Sequence, residues 1–134
     1  MYNEYFVELQ PQSSQNQKSF YRKAFVREVY YAGGTVSFKL YSYETPICAI
    51  STSCKDAENV WFDVLCDEED LSATTLRHIK AFCGMNKAEF CKYMGKNNLL
   101  DTKKAYHDYG CYFGDMYMIK IHYDAEEREE RKGV

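Results

Sequence analysis

The densest group of chemistry-bearing side chains is Thr74, Thr75, Arg77 and His78: two hydroxyls, a guanidinium and an imidazole. At the start of a helix such a set can hold a phosphate or a carboxylate, because first-turn amides lack partners and the helix dipole favours an anion. In that role the protein sequesters a small nucleotide. A structural role competes with it. Thr74 or Thr75 can satisfy a free first-turn amide, Arg77 can pair with nearby acid, and His78 can bond the sheet edge.

Nucleophilic chemistry needs a thiolate or alkoxide beside an oriented base. The chain has six cysteines (Cys48, Cys54, Cys66, Cys83, Cys91, Cys111) and three histidines (His78, His107, His122), yet no local signature joins them. No C-x-x-C pair occurs, and no cysteine sits at zinc-finger distance from a histidine. Most of the cysteines lie among apolar residues, where Cys behaves as a small hydrophobe. Gly33-Gly34 is a hairpin signal and lacks the G-x-x-x-x-G-K pattern of a phosphate loop. The carboxylate run Asp67, Glu68, Glu69 and Asp70 reads as exposed and therefore without the shifted pKa of acid/base work. The expectation is no enzyme, no metal and no cofactor.

Binding is the better fit to the composition. The chain of 134 residues holds 13 Tyr and 8 Phe against 1 Trp. One core of this size cannot satisfy so many phenol hydroxyls, so several must reach the surface, where Tyr supplies contact area. The C-terminal group Tyr106, Tyr109, Tyr112, Phe113, Tyr117 and Tyr123 is the candidate surface. Its alternative uses are a base-stacking platform served by Lys103, Lys104 and Lys120, or packing on the sheet. Asp67, Glu68, Glu69 and Asp70 are the second candidate, an anionic face for a basic partner, with a solvated loop as the plainer alternative.

Net charge is −3 and the sequence pI about 5.6, against the basic excess of a general nucleic-acid binder. The cations Lys18, Arg22, Lys23 and Arg27 leave a weak nucleic-acid interface as a third reading. No stretch is long and apolar enough to cross a membrane. The N-terminus lacks a basic-then-apolar leader, so the expected compartment is a reducing cytoplasm.

The elements that must position these residues follow from periodicity. Ala24 to Tyr31 reads as a strand, with Phe25, Arg27 and Val29 on one face and Val26, Glu28 and Tyr30 on the other. Gly33-Gly34 reads as a two-residue hairpin turn, because both positions can take positive φ. The returning strand, Thr35 to Tyr41, points Val36, Phe38 and Leu40 inward. A turn at Tyr43-Glu44 leads to a strand from Ile47 to Thr52 opened by Pro46. A loop from Ser53 to Asn59 then precedes a strand from Val60 to Cys66. Ser72 caps a helix that carries Leu76, Ile79, Phe82 and Cys83 on one stripe and ends at Gly84. Asn86 with Glu89 opens a helix from Lys87 to Met94. A further helix spans Leu100 to Tyr109, and a last strand Met116 to Tyr123. Tyr5 to Leu9 is an edge strand or an arm.

This order predicts an α+β fold: an antiparallel sheet of about four to five strands, packed on one face by two to three short helices. It forms a single domain over 1–134, with a flexible polar segment at 10–19 and a charged tail at 124–134.

Two stretches carry a resemblance. Leu40-Tyr41-Ser42-Tyr43-Glu44-Thr45-Pro46-Ile47 and Leu71-Ser72-Ala73-Thr74-Thr75-Leu76-Arg77-His78-Ile79-Lys80-Ala81-Phe82 together resemble a domain of unknown function in small proteins of Gram-positive bacteria and their phages, over about residues 35–84. The resemblance implies a strand-rich core followed by a helix, and it brings no activity with it. It does imply a phage or mobile-element origin, for which an inhibitor of a bacterial defence nuclease, of the anti-CRISPR kind, is the expected function. The partner would be a host protein in the cytoplasm of an infected or lysogenic cell, with the acidic residues meeting a basic channel.

Overall fold

Alternating apolar residues build the sheet, and a cap at each end defines the main helix. The computed structural model describes residues 2–11, 19–53, 56–109, 112–120 and 122. Six strands lie side by side in chain order: β1 (Tyr2–Glu8), β2 (Ala24–Tyr31), β3 (Val36–Ser42), β4 (Thr45–Ser53), β5 (Asp56–Val64) and β6 (Asn97–Leu100). Every neighbouring pair is antiparallel. A 3-10 turn at Glu68–Asp70 leads into α1 (Ala73–Cys83), α2 (Lys87–Cys91) and α3 (Thr102–Asp108), and residues 112–120 form a fourth helix, α4. The fold is α+β with an antiparallel sheet, and it has one or two strands more than the four to five expected.

The described helices pack on one face of the sheet. Val26, Phe38, Leu40, Ile50, Val60 and Phe62 from the strands meet Ile79, Phe82, Phe90, Phe113 and Met116 from the helices in one buried cluster. The ring of Phe62 sits at its centre, 6.0 Å from Phe90, 5.3 Å from Tyr93 and 5.6 Å from Phe113 between centroids. Phe20, in the connection before β2, is also fully buried and packs edge-on against His78 at 4.6 Å.

Helix α1 begins and ends as its sequence dictates. The Ser72 side chain accepts from the Thr75 amide at 3.1 Å, and Gly84 closes the helix at φ 74°, with its amide donating to Lys80 O. Ser72→Ala removes that acceptor and a hydroxyl contact to Thr75 Oγ1. Its expected cost is about 1 kcal/mol in urea unfolding, the usual worth of an N-cap.

Several local expectations need correction. The β2–β3 loop is Ala32-Gly33-Gly34, with Gly34 N bonded to Tyr31 O and Tyr31 N to Thr35 O. Of the two glycines only Gly34 takes positive φ, 89°, as a three-residue hairpin requires. Pro46 lies inside β4 and not before it; there the register shifts between Leu40 and Tyr41, which leaves room for a residue without a ladder amide. Strand β5 begins at Asp56, inside the expected loop. Leu100 ends a strand and does not start a helix. The second helix ends at Cys91, three residues short of the expected end.

The largest correction is at the C-terminus. Residues 112–120 are helical, where Tyr117 and Ile119 had suggested a strand to Tyr123. The residues that pack are Tyr112, Phe113 and Met116, with Ile119 partly buried, and this three-to-four spacing outweighs the alternation. Tyr123, residues 12–18 of the polar segment and the tail 124–134 lie outside the described residues.

Candidate binding site

The face of the sheet opposite the helices carries the exposed chemistry. Because directly paired residues of antiparallel strands point to the same side, the register defines its rows. One row runs Glu4, Val29, Ser37, Ser51, Trp61 and Leu99; the next runs Phe6, Arg27, Lys39, Ala49 and Asp63; the third runs Glu8, Phe25, Tyr41 and Pro46. No described helix packs there. Phe6 is 66% exposed and Leu99 51%, while Phe25, Tyr41 and Trp61 are half-buried.

Charge on this face is mixed. Arg27 Nε donates to Glu4 Oε1 on the neighbouring strand, and that carboxylate raises the guanidinium pKa. Lys39 and Asp63 flank the small side chain of Ala49 in one row. Half-burial pushes the Asp63 carboxyl above the usual carboxylate range.

At the end of the face near the start of β2 lies a concavity of about 550 Å³, lined by Phe6, Arg22, Lys23, Phe25, Tyr41, Tyr43 and Glu44. Two tight turns frame it. Tyr21 and Arg22 take φ 52° and 61°, and Tyr43 and Glu44 take φ 52° and 73°, the left-handed region that side chains seldom enter. Each such residue costs on the order of 1 kcal/mol and persists only where its surroundings hold it. Three bonds do so: Lys23 N to Phe20 O at 3.0 Å, Tyr43 N to Lys23 O at 2.9 Å, and Arg22 N to Glu8 Oε1 at 3.2 Å. Lys23 Nζ then stands 5.6 Å above the centre of the Tyr43 ring, in cation–π range.

The Thr74–His78 group splits. Thr75 and His78 are buried, whereas Thr74 is half-exposed and Arg77 exposed, with Arg77 donating to Thr74 Oγ1 at 3.2 Å. Ser42 Oγ lies 2.8 Å from His78 Nδ1 and 3.0 Å from Thr75 Oγ1, joining β3 to α1. A serine within bonding distance of an imidazole has the form of a nucleophile and base. Here Ser42 is 2% exposed and His78 fully buried, so no substrate reaches the pair. His78 Nε2 is buried without a partner. Burial first, then the charges of Arg77 and Lys23, lower the imidazole pKa from 6.5 to about 4.

The tyrosine group also divides. Tyr112 is in the core, stacked on Phe82 at 4.8 Å and edge-on to Phe38 at 5.2 Å. Tyr109 is half-buried, and a hydrogen bond with Tyr93 raises its pKa. Among the described members of the group, Tyr106 and Tyr117 form a surface feature, stacked on each other at 5.0 Å. Asp67, Glu68, Glu69 and Asp70 are all exposed, folded into the 3-10 turn with Asp67 N donating to Asp70 Oδ2 at 2.9 Å.

Among the described cysteines, Cys48 and Cys83 are buried and Cys66 and Cys91 half-buried, all free. Burial pushes the Cys48 thiol well above its usual value and the Cys66 thiol to about 11, the opposite of an activated nucleophile. No group of three potential metal ligands occurs among the described residues, and no described helix is long and apolar enough to cross a membrane.

Sequence reasoning placed Phe25, Arg27 and Val29 together on one face of β2 but did not say which face was the core and did not assemble the site. Trp61 and Phe6 carried no local motif, and nothing in their types marks which side of a sheet the described helices leave uncovered.

No curated protein and no solved structure matches the chain. A family model, described as a family of unknown function, matches residues 7–97, from β1 to the start of β6. That span holds Arg22, Lys23, Phe25, Tyr41, Tyr43, Glu44 and Trp61, and it takes in the whole of the α1 motif. The chain therefore belongs to the DUF8033 family, a family of unknown function.

Proposed function

We propose that the protein is a non-enzymatic protein-binding module that docks its partner on the open face of the sheet. The observation that carries this reading is the composition of that face. Phe6, Phe25, Tyr41, Trp61 and Leu99 spread apolar and aromatic area across five of the six strands. Among the described residues on or bordering the face, four cations (Arg22, Lys23, Arg27, Lys39) meet four acids (Glu4, Glu8, Glu44, Asp63). A nucleic-acid surface needs a cationic excess. Protein interfaces instead combine aromatic anchors with a mixed polar rim. The closed Ser42–His78 pair supports the non-enzymatic side of the reading.

The partner class remains the one the resemblance suggested, a bacterial host protein such as a defence nuclease. Relative to the sequence expectation, its docking surface moves from the acidic turn and the C-terminal tyrosines to the sheet.

Site-specific photo-crosslinking in the bacterial host tests the location. A benzophenone amino acid replacing Tyr41 or Trp61 is expected to yield one adduct of common size, and the same probe at Glu69 none. An adduct at Glu69 with none at Tyr41 or Trp61 would return the interface to the acidic turn.

A further inference from the structure

We infer that the concavity between the Tyr21-Arg22 and Tyr43-Glu44 turns is a binding site for a free nucleoside phosphate. This goes beyond the docking reading, which uses the whole face and needs no small ligand.

Four features of the cavity match such a molecule. Its volume, about 550 Å³, lies within the range of small-molecule sites. The walls are Phe6, Phe25, Tyr41 and Tyr43, rings that can stack a base. Arg22 and Lys23 stand at the same cavity, and neither forms an ion pair with a described carboxylate; the ion pair among the described residues joins Arg27 to Glu4. Two cations beside aromatic walls suit a phosphate attached to a ring system better than either alone. Glu44, the acid in the lining, is an acceptor suited to sugar hydroxyls or to the exocyclic amine of a base. A purely apolar ligand would leave Arg22 and Lys23 unused, and inorganic phosphate would leave the rings unused.

The site is also held in place. Tyr43 N bonds Lys23 O, so the turn that carries the ring and the segment that carries the cation move as one. Lys23 over the Tyr43 ring shows a cation and an aromatic face already in register.

The test is isothermal titration of the full chain with guanosine and adenosine monophosphates, the parent nucleosides, inorganic phosphate and a short single-stranded oligonucleotide. At least one monophosphate is expected to bind at least about tenfold tighter than both its nucleoside and phosphate. Arg22→Gln should weaken that binding at least about fivefold, and Tyr41→Ala by a similar factor or more, the loss of one stacked ring. Both positions are at the surface, and melting curves matching the parent confirm the folds. No monophosphate binding at millimolar concentration, equal binding of inorganic phosphate, or no effect of Arg22→Gln overturns the proposal. So does an oligonucleotide that binds at least about tenfold tighter than the monomer, which would make the site a nucleic-acid interface. The Trp61 crosslink, read on β5 away from the cavity, reports on protein docking separately, so either reading can fail alone.

Discussion

Gly84→Ala is expected to cost about 2–5 kcal/mol of stability, at the upper end enough to unfold a marginal domain of this size. Two effects combine at this position. The residue takes φ 74°, where an alanine pays roughly 1–2 kcal/mol. A β-carbon there would also overlap the backbone carbonyl of Tyr109, at the end of α3. Backbone cannot swing aside as a side-chain tip can, so α3 must shift, and forced displacement in a packed interior costs typically 1–3 kcal/mol. Gly95 separates the two effects. It takes φ 70° but has nothing within 4 Å of the added carbon, so Gly95→Ala should cost only the conformational part, about 1–2 kcal/mol. Urea midpoints of the two variants give the comparison directly. Equal losses would mean that α3 does not dock on the end of α1. A much larger loss at Gly84 would show that the C-terminal helices, beyond the family match, close down on the end of the helix motif within it.

What the sequence made readable was local. The β2–β3 hairpin and α1 emerged in nearly their observed bounds because alternation, an N-cap serine and a C-terminal glycine all act within a few residues. Strand β6 escaped because Asn97-Asn98-Leu99-Leu100 has no alternation of its own. It is held by long-range pairing and by Asn98, whose amide donates to Phe62 O at 3.3 Å and Tyr93 O at 2.9 Å. The C-terminal helix was misread because Tyr117 and Ile119 alternate, while its true burial stripe uses Tyr112, Phe113 and Met116. The candidate site was the least readable part. Tyr43-Glu44 was expected as a turn, yet nothing in Tyr or Glu signals left-handed φ, which Asn-Gly normally supplies. The tyrosine excess did point to binding, but counting rings cannot tell a core Tyr112 from a surface Tyr41.

The imidazole that sequence analysis offered as a ligand group makes instead a prediction about acid. His78 has its folded pKa lowered to about 4, against 6.5 ordinarily, with burial the leading cause. A lowered histidine means that the unfolded chain binds a proton the native state refuses. Stability from this group is therefore fully present above pH 6.5 and declines as pH falls towards 4. The total at stake is roughly 3 kcal/mol, because each tenfold difference in proton affinity between the folded and unfolded chain is worth about 1.4 kcal/mol. Two carboxyls act the other way. Asp63 and Asp115 are pushed above the usual range by burial, so protonation favours the native state as the pH drops. The wild-type curve alone would mix these trends, and a His78→Leu variant separates them. Its loss at neutral pH reports on packing and on the Ser42 contact, which can still be satisfied through Thr75. Its pH dependence lacks only the histidine. Between pH 6.5 and 4 the wild type should lose roughly 3 kcal/mol more than the variant. Parallel curves would mean that His78 charges freely in the folded protein, and hence that the β3–α1 contact opens to water. A divergent pair would confirm that Ser42, Thr75 and His78 form a dry joint. That joint would hold the end of β3 in place, and with it the Tyr43-Glu44 turn at the wall of the binding cavity.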